Sequence, residues 1–409
     1  MKKRHEVLLV LSILSLITFL DRIAISSAGE HITKDLGLST AQWGWILGIF
    51  TLSYGAFEVP SGLLGDKIGA KKVLIRVVLW WSAFTVLTGF ATGFWSLFLI
   101  RFLFGIGEAG AYPNISIALA KWFPSTERGR AQAIIWAASR LGAALTPLLV
   151  IPIQRNFGWE VSFYVLGLAG ALWVIFWAFW YNEEPAQAKD ISENELQEIL
   201  SKRQLDDHTS RSFFSFLKHK NLWLLLIMYF CYASGAYFFQ GWLPKYLQRG
   251  KGFSEEELKM VTSLPFLFAA AGCLTGGFLS DKCVNRFGRT TGRRIIPVVG
   301  LSVSGILLIA CALTDNKEIA LIFLSVGGAF MDFTAPVSWA VAMDIGGKSS
   351  GTISGAMNTA GLTGAYITTV SFGYLATSFN YNTPVWLIGG MLLFGSILWF
   401  WIDAEKKLT

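Results

Sequence analysis

Charge is scarce in this sequence. Of its 409 residues only 15% are charged, against 53% hydrophobic and 15% aromatic. A soluble protein of similar length carries about a quarter charged residues. The scarcity is also uneven. Charged residues gather in short clusters, separated by apolar stretches long enough to cross a bilayer core of about 30 Å at 1.5 Å per residue. No soluble core needs a dozen such runs. Cysteine is nearly absent, and the four present (Cys231, Cys273, Cys283 and Cys311) show no C-x-x-C spacing. That excludes a disulfide framework or thiolate metal site and leaves them as small apolar packing residues. The four histidines, His5, His31, His208 and His219, lie in loops or the N-terminal tail without ligand spacing, so no metal is expected. Nor is a nucleophile–base pair visible, which argues against an enzyme.

The net charge of +7 does not point to nucleic acid, because Lys and Arg flank the apolar runs as the positive-inside rule requires. Lys2, Lys3 and Arg4 followed by Val7 to Leu20 imitate a signal peptide. However, Asp21 and Arg22 interrupt the run, no small-x-small cleavage pattern follows, and many more runs come after it. It reads as the first transmembrane helix. Spans are expected at 7–28, 41–63, 73–92, 94–121, 128–152, 159–181, 221–249, 257–280, 293–314, 318–343, 350–376 and 383–403. The one long polar connection opens with Asn182-Glu183-Glu184-Pro185 and holds a charged, helical stretch from Ser192 to Gln204. The expected organisation is therefore a six-helix bundle at 1–181, a cytoplasmic linker at 182–220 and a second six-helix bundle at 221–409. With the N-terminus inside, about 24 Lys and Arg fall on cytoplasmic segments and about seven outside, which sets both termini in the cytoplasm.

The halves repeat. Gly62-Leu63-Leu64-Gly65-Asp66-Lys67, between spans 2 and 3, returns as Gly277-Phe278-Leu279-Ser280-Asp281-Lys282 between spans 8 and 9. Arg128-Gly129-Arg130 is echoed by Ser350-Gly351-Thr352, each opening the fifth span of its half. Parallel six-helix repeats, related by an axis along the membrane normal, suit a carrier that rocks about a central cavity. Gly62-x-x-x-Asp66-Lys67-x-Gly69-x-Lys71-Lys72 resembles the signature loop of the major facilitator superfamily. A narrower resemblance rests on Asp21-Arg22, on the span 4 stretch from Arg101 through Gly105, Gly107, Glu108 and Pro113 to Asn114, and on Lys121-Trp122-Phe123-Pro124 with Glu127-Arg128-Gly129. These are similar to the anion:cation symporter family, which includes bacterial sugar-acid/proton symporters and vesicular glutamate transporters. The resemblance covers essentially the whole chain. It implies an all-α membrane protein of twelve transmembrane helices in two pseudo-symmetric six-helix bundles, the major facilitator fold.

Ionisable residues at bilayer depth cost about 2.5–3.5 kcal/mol each on insertion scales, so each is a functional candidate. Asp21, Arg22, Arg101, Glu108 and Arg140 stand out, all in the first half. Arg101 and Glu108 are nearly two turns apart on one helix face, about 10 Å along the axis, too far to pair directly. Asp21 and Arg22 are adjacent and point about 100° apart. Arg140 lies about 18 Å into span 5. Three arginines against two carboxylates leave excess positive charge in a confined space, a trap for an anion, and guanidinium binds a carboxylate bidentately. The plainer alternative is a set of internal salt bridges that only holds helices together. Burial favours the neutral carboxyl and a nearby arginine the charged one, so Glu108 can exchange a proton as arginine contacts come and go.

The resemblance implies that Asp21 and Glu108 carry the proton and that Arg22 binds substrate carboxylate. It also implies cavity-lining roles for Tyr54 in span 2 and for Ser338, Trp339 and Asn358 in spans 10 and 11. Tyr237 and Gln240 share a face of span 7 and suit hydroxyl recognition, although aromatics near a helix end also serve as interfacial anchors. Asp66 and Asp281, at the ends of spans 2 and 8, are expected to act as gates, releasing basic groups of an opposing helix on opening. Asp332, another intramembrane acid, receives no role.

Three motif matches are refused. Gly105-Ile106-Gly107-Glu108-Ala109-Gly110 fits G-x-G-x-x-G but lies inside a helix with no preceding strand, so its glycines are read as permitting close helix approach. Gly347-Lys348-Ser349 lacks the glycine of a phosphate loop, alanine standing at position 342. Asn114-Ile115-Ser116 is a glycosylation sequon buried in a span. The expectation is a bacterial inner-membrane, multi-pass, monomeric symporter that imports a small organic anion with H+ by alternating access. Its substrate would be a sugar acid such as a hexonate or hexuronate. It would be driven by the proton gradient, with no cofactor and no nucleotide or nucleic-acid partner. The alternatives are a carrier of an aromatic or other carboxylate, a uniporter or exchanger without proton coupling, and a membrane sensor that kept the carrier fold.

Overall fold

A computed structural model describes residues 2–124, 127–188, 190–201, 216–346 and 350–408. Lys348, the end of the linker helix expected to reach Gln204, and the side chains of Asp66, Arg128, Arg130, Ser350 and Thr352 lie outside the described residues. The described residues are helical, without strands. Backbone amides have no water to bond in a bilayer core, and a helix satisfies them within one segment. In the first half the helices are α1 (Lys3–Ser27), α2 (Gly29–Asp35), α3 (Thr40–Ile68), α4 (Ala70–Thr88), α5 (Phe94–Glu108), α6 (Ala111–Trp122), α7 (Arg128–Phe157) and α8 (Trp159–Trp180). The linker carries α9 (Glu193–Ser201). The second half holds α10 (Lys220–Gly241), α11 (Glu255–Phe287), α12 (Arg289–Leu313), α13 (Lys317–Asp332), α14 (Thr334–Gly346), α15 (Ser350–Ser378) and α16 (Asn382–Leu398).

Every expected span falls on these helices. Eight helical stretches among the described residues are both long and apolar enough to cross a bilayer by themselves. Two details differ from the sequence reading. Spans 4 and 10 are each broken midway, between Glu108 and Ala111 and at Phe333. Span 7 ends as a regular helix at Gly241 and continues through a Pro244 turn into a π-turn at Tyr246–Gly250. The Asp66 and Asp281 motifs lie in the closing turns of α3 and α11, at the helix ends where the sequence reading puts them. The chain then reverses at Gly69 (φ 87°) and Gly288 (φ 80°), a left-handed conformation that glycine adopts without strain.

The chain divides into two compact units, one of Met1–Gly37 and Ile49–Asp207, the other of Leu38–Gly48 and His208–Thr409. The start of α3 thus clusters with the second unit, where a Cβ on Gly44 would come within 3.1 Å of the Thr369 carbonyl oxygen. Within each unit the packing follows one plan. In the first, α1 lies along α7 and α4 along α8; in the second, α10 lies along α15 and α12 along α16. Lipid supplies no hydrophobic drive between helices, so contact depends on close backbone approach over small residues. Gly142 of α7 sits against the backbone of Leu16 in α1, and Gly364 of α15 against the carbonyl of Phe230 in α10.

Linker carboxylates close one end of the first unit. Glu183 accepts from the free amides at the start of α4, Ala70 N at 3.0 Å and Lys71 N at 2.8 Å, and from Lys121 Nζ at 2.8 Å. Glu195 of α9 does the same for α1, accepting from Lys3 N and Arg4 N, both at 3.0 Å. Such amides have no partner inside their own helix, and an acid there also complements the helix dipole. Arg4, almost fully buried, pairs with Glu127 and Glu198, each at 3.1 Å.

Two predictions follow from this packing. Gly142→Ala and Gly364→Ala each force a methyl into a neighbouring helix backbone and should cost about 1–3 kcal/mol. Gly355→Ala, which meets nothing within 4 Å, should be neutral or stabilising by about 0.5–1 kcal/mol. Thermal unfolding in detergent measures the difference, and equal effects at the three sites would contradict the packing. Separately, the hydrogen bond from Lys2, followed by that from Arg4, pulls the Glu198 carboxyl down to about 2. A depressed carboxyl stabilises the docked linker fully above its ordinary range near 4.5, and that stabilisation fades as pH falls through about 2. Pepsin cleavage in α9 should therefore be slow near pH 4 and accelerate toward pH 2, whereas Glu198→Gln should be cut quickly throughout.

Candidate functional site

In the first unit, charges from α1 and α5 meet inside the bundle. Arg22 Nε donates to Glu108 Oε1 at 2.6 Å, and the two side chains are only 8% and 1% exposed. Four rings box the guanidinium. Its carbon lies 4.5 Å from the ring centre of Tyr54, 5.3 Å from Phe19, 5.6 Å from Phe50 and 5.8 Å from Tyr112. Aromatic faces attract a desolvated cation, so the box offsets part of the cost of burying Arg22. Tyr112 is itself fixed: it stacks on Trp136 of α7 at 4.8 Å, and its hydroxyl lies 3.0 Å from Ser15 Oγ. Ser15 gives its own proton to the Ile135 carbonyl, which leaves Tyr112 as the donor in that pair.

Arg101 adjoins the Arg22 box through Phe50. It is buried between Phe50 and Phe104, 4.7 and 4.6 Å from the ring centres, and its charge acts on both Glu108 and Asp21. Phe50 is common to the two arginines. Arg140 lies 5.9 Å from the ring centre of Phe19 and is half-buried. Asp21 is buried, and neither carboxylate oxygen has a hydrogen-bond partner among the described residues. The Trp81 indole lies beside it without meeting hydrogen-bond geometry, and Glu108 and Arg101 are the charges that act on it. The structure thus brings Arg22, Glu108 and Tyr54 into contact and sets Asp21, Arg101 and Arg140 around them.

The glycines of span 4 make this closeness possible. A methyl on Gly105 would strike Ser53 and the Phe50 carbonyl of α3, one on Gly107 would strike Trp80 of α4, and one on Gly110 would strike Ser61. The close-approach reading of this motif therefore holds. The buried Asn114 of the sequon bonds its side-chain amide to the carbonyls of Gly110 at 2.8 Å and Ser61 at 3.3 Å.

The second unit holds the remaining sequence-predicted residues. Trp339 Nε1 donates to the Tyr229 hydroxyl at 3.1 Å. The Ser338 hydroxyl bonds back to the Thr334 carbonyl at 2.9 Å and the Gln240 amide to the Ala236 carbonyl at 3.4 Å, each in its own helix. Tyr237 and Asn358 are half-buried. Asp281 is exposed and pairs with Arg293 at 3.0 Å, while Arg293 also reaches Asp344 at 3.7 Å, tying α11, α12 and α14. The Asp66 side chain lies outside the described residues. Sequence reasoning missed Tyr112 and Trp136 in the first unit and Tyr229 and Tyr232 in the second. The i,i+3 spacing of the last two, well inside span 7, was the available signal.

A model of the major facilitator superfamily matches residues 11–369. A probable sulfoacetate transporter of Cupriavidus necator is 34% identical over 405 residues, covering 98% of this chain and 94% of that protein. The hexuronate transporter of Bacillus subtilis is 30% identical, covering 97% and 94%. The D-galactonate transporter of Escherichia coli is 27% identical, covering 99% and 97%. These relatives agree with the resemblance to anion:cation symporters drawn from the motifs. Among solved structures, a bacterial homologue of the human lysosomal transporter Spinster, inward-facing and unoccupied, superposes with a TM-score of 0.79 at 20% identity, over 99% of this chain and 98% of that one, and shares the fold. The chain belongs to the major facilitator superfamily, a superfamily of membrane transporters and not of enzymes.

Proposed function

We propose that this protein is a proton-coupled symporter of a small organic anion, a sugar acid of the hexonate or hexuronate class, acting in a bacterial inner membrane with both termini cytoplasmic. The observation that carries the reading is the sealed Arg22–Glu108 pair. A guanidinium has five N–H donors in a planar fork, and a carboxylate takes two of them. While Glu108 is ionised it occupies the Nε edge of Arg22. Protonation of Glu108 removes the competing charge and leaves Arg22 for the carboxylate of an incoming anion. The local charge is the same before and after: one arginine faces one carboxylate, first the protein's own and then the substrate's. Anion and proton are thereby linked, because binding either alone leaves an uncompensated charge in a buried place. Asp21, beside Glu108 and without a hydrogen-bond partner among the described residues, is the second proton carrier in this reading. Arg101 and Arg140 supply the standing positive field, and Tyr54 packs the face of the substrate-binding guanidinium. The names of the relatives, all anion transporters, support the substrate class.

A second reading, a short sulfonate in place of a sugar acid, is favoured by the sulfoacetate relative. Uptake into proteoliposomes decides between them. Under an inward proton gradient, accumulation of D-galactonate or D-glucuronate is expected, with Glu108→Gln abolishing accumulation but retaining exchange. Arg22→Ala should raise KM roughly 10- to 100-fold, the loss of a charge-assisted hydrogen bond. Full gradient-driven accumulation by Glu108→Gln would refute the coupling, and preference for sulfoacetate over both sugar acids would favour the second reading.

A further inference from the structure

Asp332 is buried at 2% exposure deep in span 10, and the mechanism above does not use it. Its place in the fold repeats that of Glu108. Glu108 is the last residue of α5, immediately before the break of span 4, and Asp332 is the last residue of α13, immediately before the break of span 10. A proline follows each break, Pro113 in α6 and Pro336 in α14. Glycines make both breaks dense. In the first unit they lie on the broken helix, at Gly105, Gly107 and Gly110, and on α3, where Gly62 and Gly65 face Pro113 and Asn114. In the second they lie on the neighbours: Gly272 and Gly276 of α11 face the backbone of Ala329 and Phe333, and Gly300 of α12 faces the Phe330 carbonyl. In each unit the acid at the break accepts a hydrogen bond from the unit's first long helix. Glu108 takes it from Arg22, and Asp332 Oδ1 takes it from the Tyr232 hydroxyl at 2.8 Å.

The donor differs, and so does what the acid controls. Glu108 holds a cation, whereas Asp332 holds a phenol, and that phenol belongs to an aromatic set. The Tyr232 ring packs on Tyr229 with centres 5.2 Å apart. Tyr229 in turn takes the indole hydrogen bond of Trp339 at 3.1 Å and meets that ring edge-on at 6.5 Å. A phenol without a fixed acceptor swings about its χ angles; one bonded to a buried carboxylate at the end of a gripped helix does not. We propose that Asp332 is a positioning residue for substrate recognition by the second unit: through Tyr232 it fixes Tyr229 and Trp339, as Glu108 fixes Arg22 in the first. This rests on the carrier reading above and on the cavity-lining role that the family resemblance implies for Trp339.

The test uses the full chain labelled with 5-fluorotryptophan, the Trp339 resonance being assigned by its loss in Trp339→Phe. Asp332→Ala and Tyr232→Phe should both move that ¹⁹F resonance, and Asp332→Asn, whose side-chain oxygen still accepts from Tyr232, should leave it in place. Tyr232→Phe removes only a hydroxyl and guards against a folding defect in Asp332→Ala. In proteoliposomes, Asp332→Ala and Tyr232→Phe should raise KM for D-galactonate about tenfold with little change in maximal rate, as loss of one oriented hydrogen bond does, with Asp332→Asn restoring KM to within about twofold. An unmoved Trp339 resonance in both Asp332→Ala and Tyr232→Phe would overturn the proposal. So would Asp332→Asn behaving like Asp332→Ala, which would assign the effect to charge instead of to acceptance of the hydrogen bond. If wild-type protein transports none of the acids tested, the carrier reading fails on its own, and the resonance still decides the role of Asp332.

Discussion

The structure of the first unit is organised around one buried ion pair, Arg22 with Glu108. Taking two charges out of water is expensive, and removing one partner from such a pair typically costs about 3–5 kcal/mol because the other is left uncompensated. The fold answers that constraint locally. Four rings surround the guanidinium, glycines bring α3 and α4 against α5, and the helix breaks directly after Glu108. A second carboxyl, Asp21, and two further arginines stand just outside the pair. An arrangement whose only inexpensive states keep one carboxylate on Arg22 is well suited to exchanging its own acid for a solute's, provided a proton moves at the same time.

The second unit applies the same plan with different chemistry. Its span 10 also breaks after a buried acid, and that acid is also held from the first long helix of the unit. With a tyrosine as the donor in place of an arginine, the bond joins the acid to an aromatic set. One copy of the repeat thus pairs its acid with a guanidinium, and the other with a phenol. The signature residues at the ends of α3 and α11 belong to a different layer, where glycine turns, linker carboxylates and Arg293 organise the helix ends.

Much of the helical layout was legible because a bilayer allows few solutions. Hydropathy and loop charge give the spans, and all of them fall on helices. The list of intramembrane charges was legible too, since each is costly enough to stand out. Their partners were not. The sequence shows that Arg101 and Glu108 share a face, but the residue that bonds Glu108 is Arg22, 86 positions away. The breaks in spans 4 and 10 were hidden because apolar runs continue through them, with only Gly110, Pro113 and Pro336 as punctuation. Tyr229 and Tyr232 were lost among the 15% of residues that are aromatic. The Glu183 and Glu195 caps join segments more than a hundred residues apart and leave no local signature.

The central claim, that an anion replaces Glu108 on the buried Arg22 while Glu108 takes up a proton, is tested most directly by the proton balance of binding itself. Purified protein in weakly buffered detergent solution near pH 7 is mixed with D-galactonate or D-glucuronate while pH and heat are recorded. The account predicts net proton uptake by the protein on binding, with apparent affinity weakening as pH rises. Binding that takes up no protons and is independent of pH would contradict it.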